Sequence, residues 1–106
     1  MTTTTKAKIL LSRAAAPTEG AVVEAVQQQP LRNYQATLTG TGQVDAVVEI
    51  QVSNDGFNWL IMCRFTMSGT NFDTGGFAAE NPAQYTRAVL KSISGTGAAV
   101  DVTMGD

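Results

Sequence analysis

From residue 43 to residue 67 the chain alternates apolar and polar positions, QVDAVVEIQVSNDGFNWLIMCRFTM. Val44, Ala46, Val48, Ile50 and Val52 fall at every second place, with Asp45, Glu49, Gln51 and Ser53 mostly between them. Successive side chains of a strand point to opposite faces, so this pattern predicts a strand with one buried and one wet face. Ser53-Asn54-Asp55-Gly56 predicts a tight turn, because Asp and Gly tolerate the positive φ that a hairpin requires. Trp59, Ile61, Cys63, Phe65 and Met67 then alternate with Leu60, Met62, Arg64 and Thr66. This second strand is apolar on nearly both faces, the pattern of a strand near the centre of a sandwich.

Similar patterns extend to both sides. Ile9-Leu10-Leu11 predicts a short strand, ended by the small and turn-prone residues 14–20 with Pro17 among them. Residues 21–27 (AVVEAVQ) fit strand or helix; the Val pair and the short length favour strand, and Pro30 stops any helix. Tyr34, Ala36 and Leu38 alternate inward over residues 33–39, and Gly40-Thr41-Gly42 predicts a turn into the next strand. Residues 68–79 are Gly-rich and carry Phe72 and Phe77, which predicts a loop or short edge strand pinned by its two aromatics. After Pro82 a long strand is expected over 83–94, then a turn at Gly95-Thr96-Gly97 and a last strand with Ala98, Val100, Val102 and Met104.

The two G-T-G strings echo each other. Two hairpins with like turn chemistry account for the echo, and a duplicated unit is the alternative. A phosphate loop does not fit, because a strand and no lysine follows each string. About seven or eight short strands with turn signals every 8–12 residues predict an all-β fold, an antiparallel β-sandwich of jelly-roll-like type. It is expected to occupy residues 9–106 as one domain, preceded by a Thr-rich arm over residues 1–8.

Composition narrows the function classes. Only 15% of residues are charged, against about 25% in an average domain, and the net charge is -2. The seven basic residues are scattered singly, so no basic face for nucleic acid is expected. With no histidine and one cysteine, Cys63, neither a Ser-His-Asp nor a Cys-His nucleophile system can be built within the chain, nor a zinc site from His and Cys. No disulfide can close within the chain. Cys63 reads as a small buried hydrophobe. No apolar run reaches the roughly 20 residues of a membrane span, and the polar start MTTTTK lacks a secretion-signal pattern, so assembly in the cytoplasm is expected.

Few residues suggest chemistry. Asp45 and Glu49 share a strand face about 13 Å apart, too far for joint acid–base work, and suit a solvated face. Asn54, Asp55 and Asp73 are conceivable calcium ligands, but Asx residues in turns usually bond their own backbone. Trp59 with Tyr34, Tyr85 and Phe57 raises a sugar-binding reading; Trp59 fits the core better than a platform, and Phe57 at the turn is the better exposed contact. Arg87 is expected on the solvent face with its stem packed down, with an interface role as the alternative. No cofactor is expected.

The turn at residues 53–59 (SNDGFNW), the strand opening Tyr85-Thr86-Arg87-Ala88, its SISGTGA ending and the alternating run to Met104 together resemble small β-sandwich proteins of tailed bacteriophages. Such proteins are virion components, among them cement or decoration proteins of the outer capsid surface. The resemblance implies a non-enzymatic protein that binds the major capsid protein of the shell and stabilises it. It also implies a homo-oligomer, dimer or trimer, assembled in the bacterial host. The candidate capsid contacts are Thr2, Thr3, Thr4, Thr5 and Lys6 of the arm with Phe72, Asp73 and Phe77 of the Gly-rich stretch. Asn54, Asp55 and Phe57 are candidate contacts on the surface turn. S-x-D-G-x-x-W turns also occur in carbohydrate-binding sandwiches, so a glycan- or host-surface-binding module of a tail or fibre is the alternative. An exposed Trp59 or Phe57 would favour it.

Overall fold

The computed structural model describes residues 8–24 and 31–105, and it is all-β, without helix among them. Six strands follow in order: β1 (Lys8–Ala14), β2 (Thr18–Glu19), β3 (Val23–Glu24), β4 (Leu31–Ser53), β5 (Leu60–Glu80) and β6 (Tyr85–Gly105). They form one antiparallel sheet ordered β1-β6-β4-β5, with β2 and β3 also paired to β6. Residues 1–7 of the expected Thr-rich arm lie outside the described residues, and its last residue, Lys8, is the first of β1, paired with Met104.

Three strands exceed 20 residues, which the sequence pattern did not foretell. A straight strand of that length would run about 70 Å, yet the molecule measures 41 × 38 × 18 Å. Each long strand therefore bends sharply, and the bends line up. Pairing between β4 and β5 slips between Thr39 and Gln43, and pairing between β4 and β6 slips on both sides of the Thr41–Thr96 match. The positive-φ residues Gly42, Asn71, Gly95 and Gly97 all lie along this line. Asn71 Oδ1 accepts the Gly42 N–H at 2.6 Å, tying two of the bends together. A Cβ on Gly95 would stand 2.7 Å from Val44 Cγ1 and 2.8 Å from the Gln43 carbonyl, so only glycine fits there.

The G-T-G strings are thus not hairpin turns. They kink the chain, as their glycines suggested, but the chain continues in the same strand beyond the kink. The Gly-rich residues 69–79 likewise belong to β5 and carry its bend rather than forming a loop. The six strands replace the expected seven or eight short ones for the same reason.

The crease folds the sheet on itself. Phe65 and Phe77 lie on one strand and would be about 40 Å apart if it were straight, but their ring centroids are 5.4 Å apart. Gly75 faces the Phe65 ring from the opposite arm, close enough that a Cβ there would touch it at 3.6 Å. Between the arms lies a core that includes Leu38, Val44, Val48, Ile50, Leu90, Val100 and Val102, all fully or nearly fully buried. The alternation read from Val44 to Val52 is borne out as far as Ile50, since Val44, Ala46, Val48 and Ile50 enter this core. Pairing with β5 then slips between Ile50 and Gln51, so that Val52 stays outside the core while Gln51 and Ser53 are buried.

β5 is an edge strand, not a central one. Its apolar residues divide along its length rather than between its two faces. Phe65 and Met67 enter the core, whereas Leu60 and Ile61 are 72% and 56% exposed.

Candidate interaction surface

The hairpin tip between β4 and β5 is shaped by one carboxylate. Asp55 Oδ1 accepts the backbone N–H groups of Phe57 and Asn58, each at 2.8 Å, and Oδ2 accepts Asn58 Nδ2 at 2.7 Å. Ser53 Oγ donates to Asp55 and accepts the N–H groups of Asp55 and Gly56. The donors at Asn58 and Phe57 hold the Asp55 carboxyl far below the usual carboxylate range. The turn predicted at residues 53–56 is present, with Gly56 at positive φ against the Tyr85 ring. Phe57 at its apex is 87% exposed. Asn54 accepts the Gln84 N–H at 3.4 Å, and an open recess of about 270 Å³ lies between Asp55, Asn58, Leu60 and Ala83.

Behind the tip, a line of polar side chains crosses the outer face of the sheet from β2 to β5. Glu19 pairs with Arg87 at 3.4 Å. Arg87 Nε donates to Gln51 Oε1 at 2.9 Å, and Gln51 Nε2 to Glu49 Oε1 at 3.1 Å. Arg64 grips the other Glu49 oxygen with Nη2 at 2.5 Å and Nε at 3.2 Å. The Arg87 guanidinium also lies over the Trp59 ring, 4.2 Å from its centroid, a cation–π contact. Arg64 and then Gln51 hold the Glu49 carboxyl below its ordinary value.

This line revises three expectations. Glu49 is not on a solvated face: it is 1% exposed, covered by the side chains that bind it. Asp45, two places along the same face, is half-buried and accepts Ser68 Oγ at 2.6 Å. Arg87 packs its head as well as its stem. One signal for the Glu49–Arg64 pair was present in the sequence, because these opposite charges stand symmetrically about the 54–59 turn and so face each other in a hairpin. Nothing local points from Gln51 to Arg87, which lies 36 residues on.

The remaining candidates scatter. Phe72 lies next to the crease and is exposed. Asp73 accepts the Ser68 N–H at 2.9 Å and braces the same bend. Phe77 is half-buried: it stacks on Tyr34 at 4.9 Å and leans on Phe65. Asp55 and Asp73 each serve the backbone of their own bend, and among the described residues no three His, Cys, Asp or Glu side chains gather as metal ligands. Cys63 is free and half-buried rather than fully enclosed. Thr2, Thr3, Thr4, Thr5 and Lys6 lie outside the described residues.

Asn81 is a functional-looking polar residue that sequence reasoning passed over, and its role is architectural. It starts the link that carries the chain from β5 past β4 to β6. Its side chain donates to Tyr34 Oη at 2.6 Å and Thr86 Oγ1 at 2.9 Å and accepts the Ala83 N–H at 3.1 Å. Arg32 Nη1 donates to its carbonyl. Burial pushes the Tyr34 phenol up, which keeps it neutral.

No protein-family model and no curated protein matches the sequence. Among solved structures, the crystal structure of the SPBc2 prophage-derived protein YomS is similar: the TM-score is 0.61, with 96% of this chain and 92% of that one covered at 11% identity. At that identity the likeness is one of fold.

Proposed function

We propose that this chain is a non-enzymatic structural virion protein, and specifically a decoration protein that binds the outside of a shell of major capsid protein. The observation that carries the reading is the nearly end-to-end fold likeness to a prophage-derived protein, together with the tailed-phage resemblance of residues 53–59 and 85–104. The surface suits adhesion. Phe57, Leu60 and Ile61 form an exposed apolar corner at the hairpin tip, stiffened by the Asp55 turn and the Arg87–Trp59 stack. The lack of histidine leaves little for acid–base chemistry near neutral pH. At the level of fold we extend the same reading: the two arms of the folded sheet serve as the leaves of a jelly-roll-like sandwich.

The glycan-binding alternative draws support from Phe57 and less from Trp59, whose face Arg87 already covers. Copy number in purified virions, measured by quantitative mass spectrometry against the major capsid protein, tests the proposal. Hundreds of copies per particle are expected. A handful would indicate a tail component, and complete absence would overturn the virion reading.

A further inference from the structure

We propose that Asp55–Gly56 is a latent modification site, where the hydrogen bonds of the turn itself hold back closure to a succinimide ring and reopening to isoaspartate. This inference does not rest on the virion reading.

In this reaction the Gly56 backbone nitrogen attacks the carboxyl carbon of the Asp55 side chain. The N–Cγ bond forms as the nitrogen gives up its proton, a Cγ–O bond of the protonated carboxyl breaks, and water leaves. Water then opens the ring at either carbonyl. Opening at Cγ restores aspartate. Opening at the main-chain carbonyl carbon leaves the backbone running through the side chain, as isoaspartate. Glycine after Asp favours the closure, because it has no Cβ to shield its nitrogen and adopts the cyclic conformation freely. No other Asp or Asn within residues 1–105 is followed by glycine.

Each atom the reaction needs is held elsewhere in the folded turn. The Gly56 N–H donates to Ser53 Oγ at 2.9 Å, and Ser53 is itself buried. Asp55 Oδ1 accepts the Asn58 and Phe57 N–H groups, each at 2.8 Å, and the Ser53 hydroxyl at 2.9 Å. Oδ2 accepts Asn58 Nδ2 at 2.7 Å. Ring closure must release the Gly56 N–H from Ser53 and turn the carboxyl away from all of these donors. The Asn58 and Phe57 N–H groups above all hold that carboxyl far below the usual range, so its protonated form, which can lose water, is scarce near neutral pH.

The guard is local and the site is wet. Asp55, Phe57 and Asn58 are exposed, so water reaches the bond whenever the turn opens. Every hydrogen bond of the guard joins residues within 53–58, and such a segment can open while the arms keep their packing. Isoaspartate lengthens the backbone by a carbon atom at this point, so the turn cannot re-form with the same bonds. Phe57 at the apex and Leu60 beyond it then shift with the backbone, and the exposed apolar corner changes shape.

The test incubates the full chain at neutral pH in heavy-oxygen water, either native or unfolded in urea, and maps its peptides by chromatography and mass spectrometry. Each round of closure and reopening leaves a heavy oxygen at residue 55, whichever product forms. Label and isoaspartate are expected to gather at residue 55 of the unfolded chain, and to do so at least about tenfold more slowly in the native one. Ser53→Ala frees the Gly56 N–H, and Asn58→Ala removes the donor to Oδ2 from an exposed position that folding tolerates. Ser53→Ala is expected to raise the native rate about tenfold and Asn58→Ala to raise it less, each with thermal unfolding still cooperative. Equal rates in native and unfolded chains would overturn the proposal, as would faster labelling at another Asp or Asn. So would a native rate unmoved in either folded variant, which would assign the protection to the fold as a whole rather than to the turn.

Discussion

Asn81 serves three partners with one amide, the buried Tyr34 and Thr86 and the half-buried Ala83 backbone. Removing it leaves a phenol and a hydroxyl without that donor where water does not reach them. Asn81→Ala should therefore cost about 1–3 kcal/mol, read as a lower urea midpoint at unchanged slope. Glu49 gives the stability a pH dependence of definite sign. Its folded pKa lies below its ordinary value of 4.5, so its contribution is complete above that pH and is lost as pH falls through the lower folded value. Asp55 acts in the same sense from 3.8 downward. Urea unfolding should thus show stability declining on acidification below about pH 4.5. Glu49→Gln should be less stable at neutral pH and show a shallower decline. The Asp55 turn was legible in the sequence because its bonds are made within five residues. The burial of Glu49 was obscured because covering groups come from other strands, and the stacking of Phe77 was not legible because Tyr34 lies 43 residues away.

At the scale of the element, the alternation at residues 44–50 shows which side of β4 is buried but not where the strand stops. Gly40-Thr41-Gly42 signals a positive φ, and the same signal serves a reversal or a bend. What decides is the neighbouring strand: Thr41 faces Thr96 of the second G-T-G, so two flexible points coincide and both strands fold along one line. The echo between the strings thus has a purpose neither hairpin chemistry nor duplication described. Gly95→Ala should be markedly more destabilising than Gly97→Ala. The former drives a methyl against Val44 and the Gln43 carbonyl. The latter meets nothing within 4 Å and carries only the left-handed backbone cost, about 1–2 kcal/mol. Thermal unfolding of the two variants checks the order, and a reversed ranking would mean the crease does not depend on close approach at Gly95.

For the whole molecule, the composition left packing and assembly as the sources of stability, since no disulfide closes within the chain. The all-β class was legible from alternation and turn chemistry. The placement of β5 at an edge was not, because exposed apolar residues and core ones read alike in the sequence. The two edges of the sheet differ in length: β1, β2 and β3 divide one into short pieces, whereas β5 runs unbroken along the other.

The crease also governs how the molecule comes apart. Because β4, β5 and β6 each run through both arms, neither arm can melt while the other keeps its strands anchored at the bend. Amides in the two arms share one opening event, so the molecule behaves as a single cooperative unit despite its two-armed outline. Its assembly must also wait for strands distant in sequence to meet, which makes folding slow for so short a chain. Until they meet, the largely apolar residues 60–68 remain unpaired on every side, and folding at low protein concentration protects them from premature pairing.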